Sequence, residues 1–184
     1  EARFKAAKTS YYKGDFDWAE TQLKVLKSST SQLTANDALD LQLLISDHKA
    51  SDSLHTALKL YAKAEVLTLQ NKPTEAISVL ESILENHKTD PIIDQALLAQ
   101  AQLYESEKMY SKAEANYIRI ITAYKDDILA DDAYFYLAEL YRLHLNQPEK
   151  AKLNYETIIF NHEDSIHFVA ARKQYRILRG DAIN

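Results

Sequence analysis

The side chains of this 184-residue chain that could do chemistry are six histidines and several adjacent carboxylates. His48, His55, His87, His144, His162 and His167 form no HExxH motif and no i, i+4 pair, the spacing at which two imidazoles on one helix reach a single zinc ion. His162 and His167 flank Glu163 and Asp164, a pattern that reads as a solvated helix junction, and the same reading extends to all six. There is no Cys, and no Ser stands in a GxSxG elbow, so nucleophilic catalysis has no recognisable centre. Asp126-Asp127 and Asp131-Asp132 have the composition of a general acid and base pair. They bracket a predicted helix start, however, where carboxylates favour the helix dipole and accept from free amides. The sequence therefore reads as a non-enzyme, with no cofactor and no metal site.

Composition narrows the fold and the partner. Two Gly in 184 residues leave no material for phosphate-cradling loops and few turns of positive φ, which points to an all-helical chain. A net charge of −5 does not favour a nucleic acid or an anionic membrane face, and no apolar run approaches the roughly 20 residues of a membrane span. The opening Glu1-Ala2-Arg3-Phe4 is neither a signal peptide nor an initiator Met, so the chain reads as one domain over 1–184, an excised C-terminal piece of a longer protein.

A period runs through the sequence. Leu97 to Tyr104 followed by Tyr110 to Tyr117 recurs as Tyr134 to Tyr141 followed by Glu149 to Tyr155, with Ala113 and Ala151 38 residues apart. Leu60 to Leu67 with Thr74 to Leu80 repeats the scheme 37 residues earlier, and Ala7 to Ser10 with Gly14 to Leu23 opens the chain with the first of four copies. Apolar residues return every three or four positions, so each copy predicts two amphipathic helices. The predicted helices are 1–13, 15–28, 35–48, 53–70, 74–87, 91–107, 110–124, 128–145, 148–161 and 164–179. Asp90-Pro91, Lys72-Pro73 and Gln147-Pro148 mark helix entries, and Gly180 a helix stop. Ser28-Ser29-Thr30-Ser31 and Ala50-Ser51-Asp52-Ser53 read as short polar connectors. The segment around Ala35 to His48 reads as a degenerate half-repeat whose partner role is shared by the helix 53–70.

These residues resemble the tetratricopeptide repeat. The family places one small residue in its first helix, here Ala7, Ala64, Ala101 and Ala138, and another in its second, here Ala19, Ala76, Ala113 and Ala151. Larger residues fill the space between: Leu67, Tyr104 and Tyr141 in the first helix, Leu23, Leu80, Tyr117 and Tyr155 in the second. The family's turn glycine survives as Gly14 and is replaced by Asn71 and Lys108. The last turn carries one inserted residue, since Tyr141 to Ala151 spans ten where Tyr104 to Ala113 spans nine. The resemblance implies a right-handed α-solenoid of about ten antiparallel helices. The junctions His87 to Ala96, Tyr124 to Ala133 and His162 to Ala171 are further similar to those of bacterial cell-envelope tetratricopeptide proteins, which implies a periplasmic or envelope location.

The family's first helices line a concave face that binds a protein or peptide. The residues that the resemblance puts there are Tyr61, Glu65, Leu98, Gln102, Glu105, Phe135, Tyr136, Glu139 and Arg142. Tyr61, Phe135 and Tyr136 are the expected anchors, with Glu65, Gln102, Glu139 and Arg142 setting polarity and register. The Lys, Asn and Arg set with which chaperone-binding members grip an acidic C-terminus is not present. Arg172, Lys173, Arg176 and Arg179 cluster on the last helix, where cations favour its dipole. Self-association through the ends of the array is the rival to groove binding, the last helix standing as the solvating cap that a repeat array requires.

Overall fold

A computed structural model describes residues 1–26, 32–49 and 54–181, with the side chains of Gln32 and Leu33 excepted. Ten helices, α1 (Ala2–Tyr12), α2 (Phe16–Leu26), α3 (Gln32–His48), α4 (Thr56–Leu69), α5 (Pro73–Asn86), α6 (Ile93–Ser106), α7 (Tyr110–Ala123), α8 (Ala130–Leu143), α9 (Pro148–Asn161) and α10 (Phe168–Arg179), and no strand appear among the described residues. The fold class is all-α and built of helical repeats. Both expected polar connectors, at 28–31 and 50–53, lie outside the described residues.

The repeat register explains the pairing of helices. All eight alanines at the expected crossings are buried, none more than 2% exposed. A methyl group there lets two helix backbones approach closely, and a larger side chain would overpack the crossing at a cost of about 1–3 kcal/mol. Tyr117, Tyr155, Leu23 and Leu80 are buried one turn further along the second helices, as expected.

The turns within the repeats also share one geometry. Gly14, Asn71, Lys108 and Asn146 all take positive φ (81°, 57°, 59° and 50°), and each stands five residues before its second-helix alanine. In the first three copies the next amide closes a ring of six residues: Asp15 N to Ser10 O at 3.0 Å, Lys72 N to Leu67 O at 2.9 Å and Met109 N to Tyr104 O at 2.7 Å. In the fourth, Gln147 N reaches one residue further back, to Tyr141 O at 2.9 Å, so the inserted residue is absorbed in the turn and the helices keep their register. Lys108 carries the steric penalty of the left-handed region that Gly14 avoids.

Pro73 and Pro148 begin their helices as expected. Asp90-Pro91 does not: α6 starts at Ile93, and Asp90 Oδ1 accepts from the Ile92 amide at 3.1 Å in a turn ahead of the helix. α10 likewise begins at Phe168, four residues later than the sequence suggested, and ends on Gly180 in the left-handed conformation (φ 88°).

The described chain forms two compact units, Glu1–Ala96 and Leu97–Asn184, with the boundary inside α6. In the first unit α1 packs on α2 and α4, α2 on α3, and α4 on α5. The main partner of α3 is therefore α2 and not, as the sequence suggested, a role divided with α4. The end of α3 is tied down by Lys49, whose ammonium donates to Asp17 at 3.0 Å and Glu20 at 2.5 Å on α2. In the second unit α8 packs on α7 and α9, and α9 on α10. There Asn116 of α7 donates to Gln100 Oε1 of α6 at 2.8 Å, a side-chain bond between the two halves of one repeat.

Candidate partner-binding surfaces

In the second unit, the carboxylates expected to face a partner are already held by the chain. The Tyr117 hydroxyl on α7 donates to Glu105 of α6, and the Tyr155 hydroxyl on α9 donates to Glu139 of α8. Arg142 donates to Glu139 as well, and its Nε lies 3.3 Å from the Tyr155 hydroxyl oxygen. Burial raises the Glu105 pKa, an effect that the Tyr117 hydroxyl partly offsets. The Glu139 carboxylate keeps Arg142 charged. Both tyrosines are pushed well above the usual phenol range, first by burial and then by the carboxylate that each one touches.

The aromatic residues of this unit are also partnered. Phe135 stacks on His167 with ring centres 4.1 Å apart and planes within 5°, and Tyr136 stacks on Tyr117 at 6.2 Å. His167 Nε2 lies 2.6 Å from Asp132 Oδ1, which pins the start of α10 to the first turn of α8. Burial raises the Asp132 pKa, with His167 acting against it. Asp131 and Asp132 do sit in the first turn of α8, as expected, but Asp132 uses its carboxylate across the fold and not to cap its own helix.

The first unit is arranged differently. Tyr61 is buried at 8% exposure, and Glu65 lies beside a cleft of about 470 Å³. Phe4 from α1 and Leu41 and Leu44 from α3 supply the apolar wall of this cleft, and Asp37, Asp40 and Glu65 its carboxylates, against the single ammonium of Lys8. The Lys8 ammonium stands 5.8 Å from the centre of the Tyr12 ring. One Glu65 oxygen, Oε2, is buried without a hydrogen-bond partner, and so is the Tyr11 hydroxyl. The two groups do not reach good hydrogen-bond geometry, yet they are close enough for Tyr11 to lower the Glu65 pKa and for Glu65 to raise that of Tyr11. Burial outweighs Tyr11 and Lys8, so the Glu65 pKa is raised overall. Tyr12 nearby is pushed up to about 12, by burial first and Glu65 second.

The nine expected residues thus fall into two sets. Tyr61 and Glu65 belong to the first unit; Leu98, Gln102, Glu105, Phe135, Tyr136, Glu139 and Arg142 belong to the second. Gln102 is exposed, Tyr61 and Leu98 are buried, and the other six are intermediate. Phe4 and Lys8 were missed, although they stand at the register positions of Phe135 and Glu139 and continuing the repeat to the first copy points to them. Asp37 and Asp40 had no such signal, because α3 lies outside the repeat register.

The reading of all six histidines as solvated is corrected at two positions. His48 is buried at 8% exposure, and burial lowers its pKa. His167 is half-buried between Phe135 and Asp132. Among the described residues no group of three or more His, Cys, Asp or Glu side chains is placed to hold a metal ion, and no helix is long and apolar enough to cross a membrane.

Residues 132–165 match the sequence model of the tetratricopeptide repeat family. The match begins at Asp132 in the first turn of α8 and runs through α9 to the junction before α10, so it covers the fourth copy of the period. No curated protein matches the chain. Tetratricopeptide repeats generally mediate protein–protein interaction, and their helical-repeat fold is typically non-enzymatic.

Proposed function

We propose that this chain is a protein-recognition scaffold that docks a segment of a partner protein on the first-helix faces of its repeats. The supporting observation is the preorganised polar array of the second unit. Tyr117, Tyr155 and Arg142 hold Glu105 and Glu139 in place, with exposed Gln102 on the same helix as Glu105. Groups already fixed by the fold lose little side-chain entropy when a partner arrives. Exposure sorts the roles of the residues. Gln102, Glu105, Tyr136, Glu139 and Arg142 offer surface to a partner, whereas Tyr61 and Leu98 support the faces from beneath, having almost no area left to bury. Phe135, with one face on His167, offers only its remaining edge.

A role in bacterial envelope assembly belongs to the same proposal, and the repeat-junction pattern is its support. The test is selection of a displayed peptide library on the whole chain. Enriched peptides are expected to lose at least tenfold in affinity when Gln102→Arg and Tyr136→Ala are combined, with helicity unchanged at the assay temperature. Enriched peptides indifferent to that pair would remove the assigned surface.

Self-association is the second reading, and α10 favours it. Val169 is 77% exposed and Ile177 also faces solvent, as does Ile166 in the turn just before the helix, so this end is not the purely polar cap expected of it. Arg176 and Arg179 are paired with Asp181, which lowers the effective charge of the cluster. Light scattering that stays monomeric at high concentration would set this reading aside.

A further inference from the structure

We propose that the cleft of the first unit is an acid-lined docking site for a lysine- or arginine-bearing segment of a partner protein. Its cationic head would meet Glu65, Asp37 and Asp40, and its apolar neighbours would lie on Phe4, Leu41 and Leu44. This rests on the protein-recognition reading and adds a site and the chemistry of the partner.

The repeat register isolates what is unusual here. Glu65 and Glu139 occupy the same step, one residue after the first-helix alanine. Glu139 receives the Tyr155 hydroxyl and the Arg142 guanidinium. At the matching steps of the second copy stand Leu80 and Thr68. Leu80 has no donor, and the Thr68 hydroxyl donates instead to the Ala64 carbonyl at 2.9 Å. The Tyr155 and Arg142 donors of the second unit have no counterpart at these two steps, and Glu65, beside the cleft, is left with the poorly aligned Tyr11 hydroxyl and the charge of Lys8, both from α1.

A largely buried carboxylate whose nearby donor is poorly aligned is costly, and a charged partner that supplies a better one recovers part of that cost on binding. The remaining charges agree. Asp37 and Asp40 form no ion pair among the described residues, and three carboxylates face one ammonium, which itself sits against the Tyr12 ring. An anion would meet net repulsion here, and a purely apolar segment would strand three carboxylates against its side chains. A cation flanked by apolar residues satisfies both walls.

The experiment selects a library of random displayed dodecapeptides on the whole chain and then measures the affinity of synthetic enriched peptides by fluorescence polarisation. Peptides carrying Lys or Arg beside apolar residues are expected, and replacing that cation by neutral citrulline or norleucine should weaken them at least tenfold. The same loss is expected in Glu65→Gln, which removes the charge, and in Thr68→Arg, which places an internal cation beside Glu65 from outside the cleft wall. Ser111→Arg, at an exposed position of α7 in the second unit, should leave these peptides unaffected. Because Glu65→Gln removes a buried charge, its melting temperature should not fall, and lost binding then reports the site and not unfolding. Enriched peptides without a cation requirement, or cationic peptides indifferent to both substitutions, would overturn the cleft assignment while leaving protein recognition standing. A library that yields no binder would overturn both.

Discussion

Glu65 in the first unit and Glu139 in the second stand at one register position of one repeat, and the two units treat them in opposite ways. Around Glu139 the chain supplies a phenol from the following helix and a guanidinium from the next turn. Around Glu65 those positions hold leucine and threonine, and one carboxylate oxygen is buried beside a cleft without a partner. Identical residue type and register therefore do not imply identical roles. A carboxylate closed into an internal network stiffens the fold, whereas the same group left open costs stability and keeps its valence for a ligand.

The largest test strips the closed site. Combining Tyr155→Phe with Arg142→Leu leaves Glu139 in the condition of Glu65 without the cleft beside it, and urea denaturation should show a loss of about 3 kcal/mol. A loss under 1 kcal/mol would mean that the network is incidental. A smaller step is Tyr117→Phe, expected to cost about 1–2 kcal/mol at neutral pH by removing the donor to Glu105. That hydroxyl favours the charged carboxylate, so its contribution is present above the Glu105 pKa and fades as the pH falls through it.

At the open site the sign reverses. Burial raises the folded pKa of Glu65 above its unfolded value, so the folded state favours the proton. The resulting stability is complete below the ordinary carboxylate pKa and is lost as the pH rises through the folded one. Glu65→Gln should therefore stabilise the protein at pH 7 and change nothing near pH 4, read from melting curves across that range. The smallest effect sharpens the comparison most. Thr68→Arg copies the i, i+3 relation of Glu139 and Arg142 on an exposed position and should add about 0.5 kcal/mol. It should also draw the Glu65 titration downward, as seen by carbon NMR of the carboxyl. A Glu65 titration unmoved by that arginine would break the equivalence of the two sites.

Much of this architecture is legible in the amino-acid sequence. The alanines at the crossings could be read because close helix approach tolerates only small residues, and the 37- and 38-residue spacings fixed which alanine meets which. The turns were legible for a similar reason, since the left-handed step recurs at one place and a single insertion shifts one hydrogen bond. What failed was local inference about side chains in contact with distant ones. Polarity suggested that His48 and His167 lie in solvent. Burial removed His48 from it, and a ring and a carboxylate 32 and 35 residues away enclosed His167.

The sequence by itself determined the repeat helices, the pairing within each copy and the period, because periodicity and small-residue placement are properties of the chain read in order. Only the tertiary structure decided which polar groups were consumed and which were left open. Whether a carboxylate finds a donor depends on what neighbouring helices bring within about 3 Å. Around Glu65 the decisive neighbours come from α1 and α3, the latter a helix outside the repeat whose carboxylates carry no register from which their position could be read.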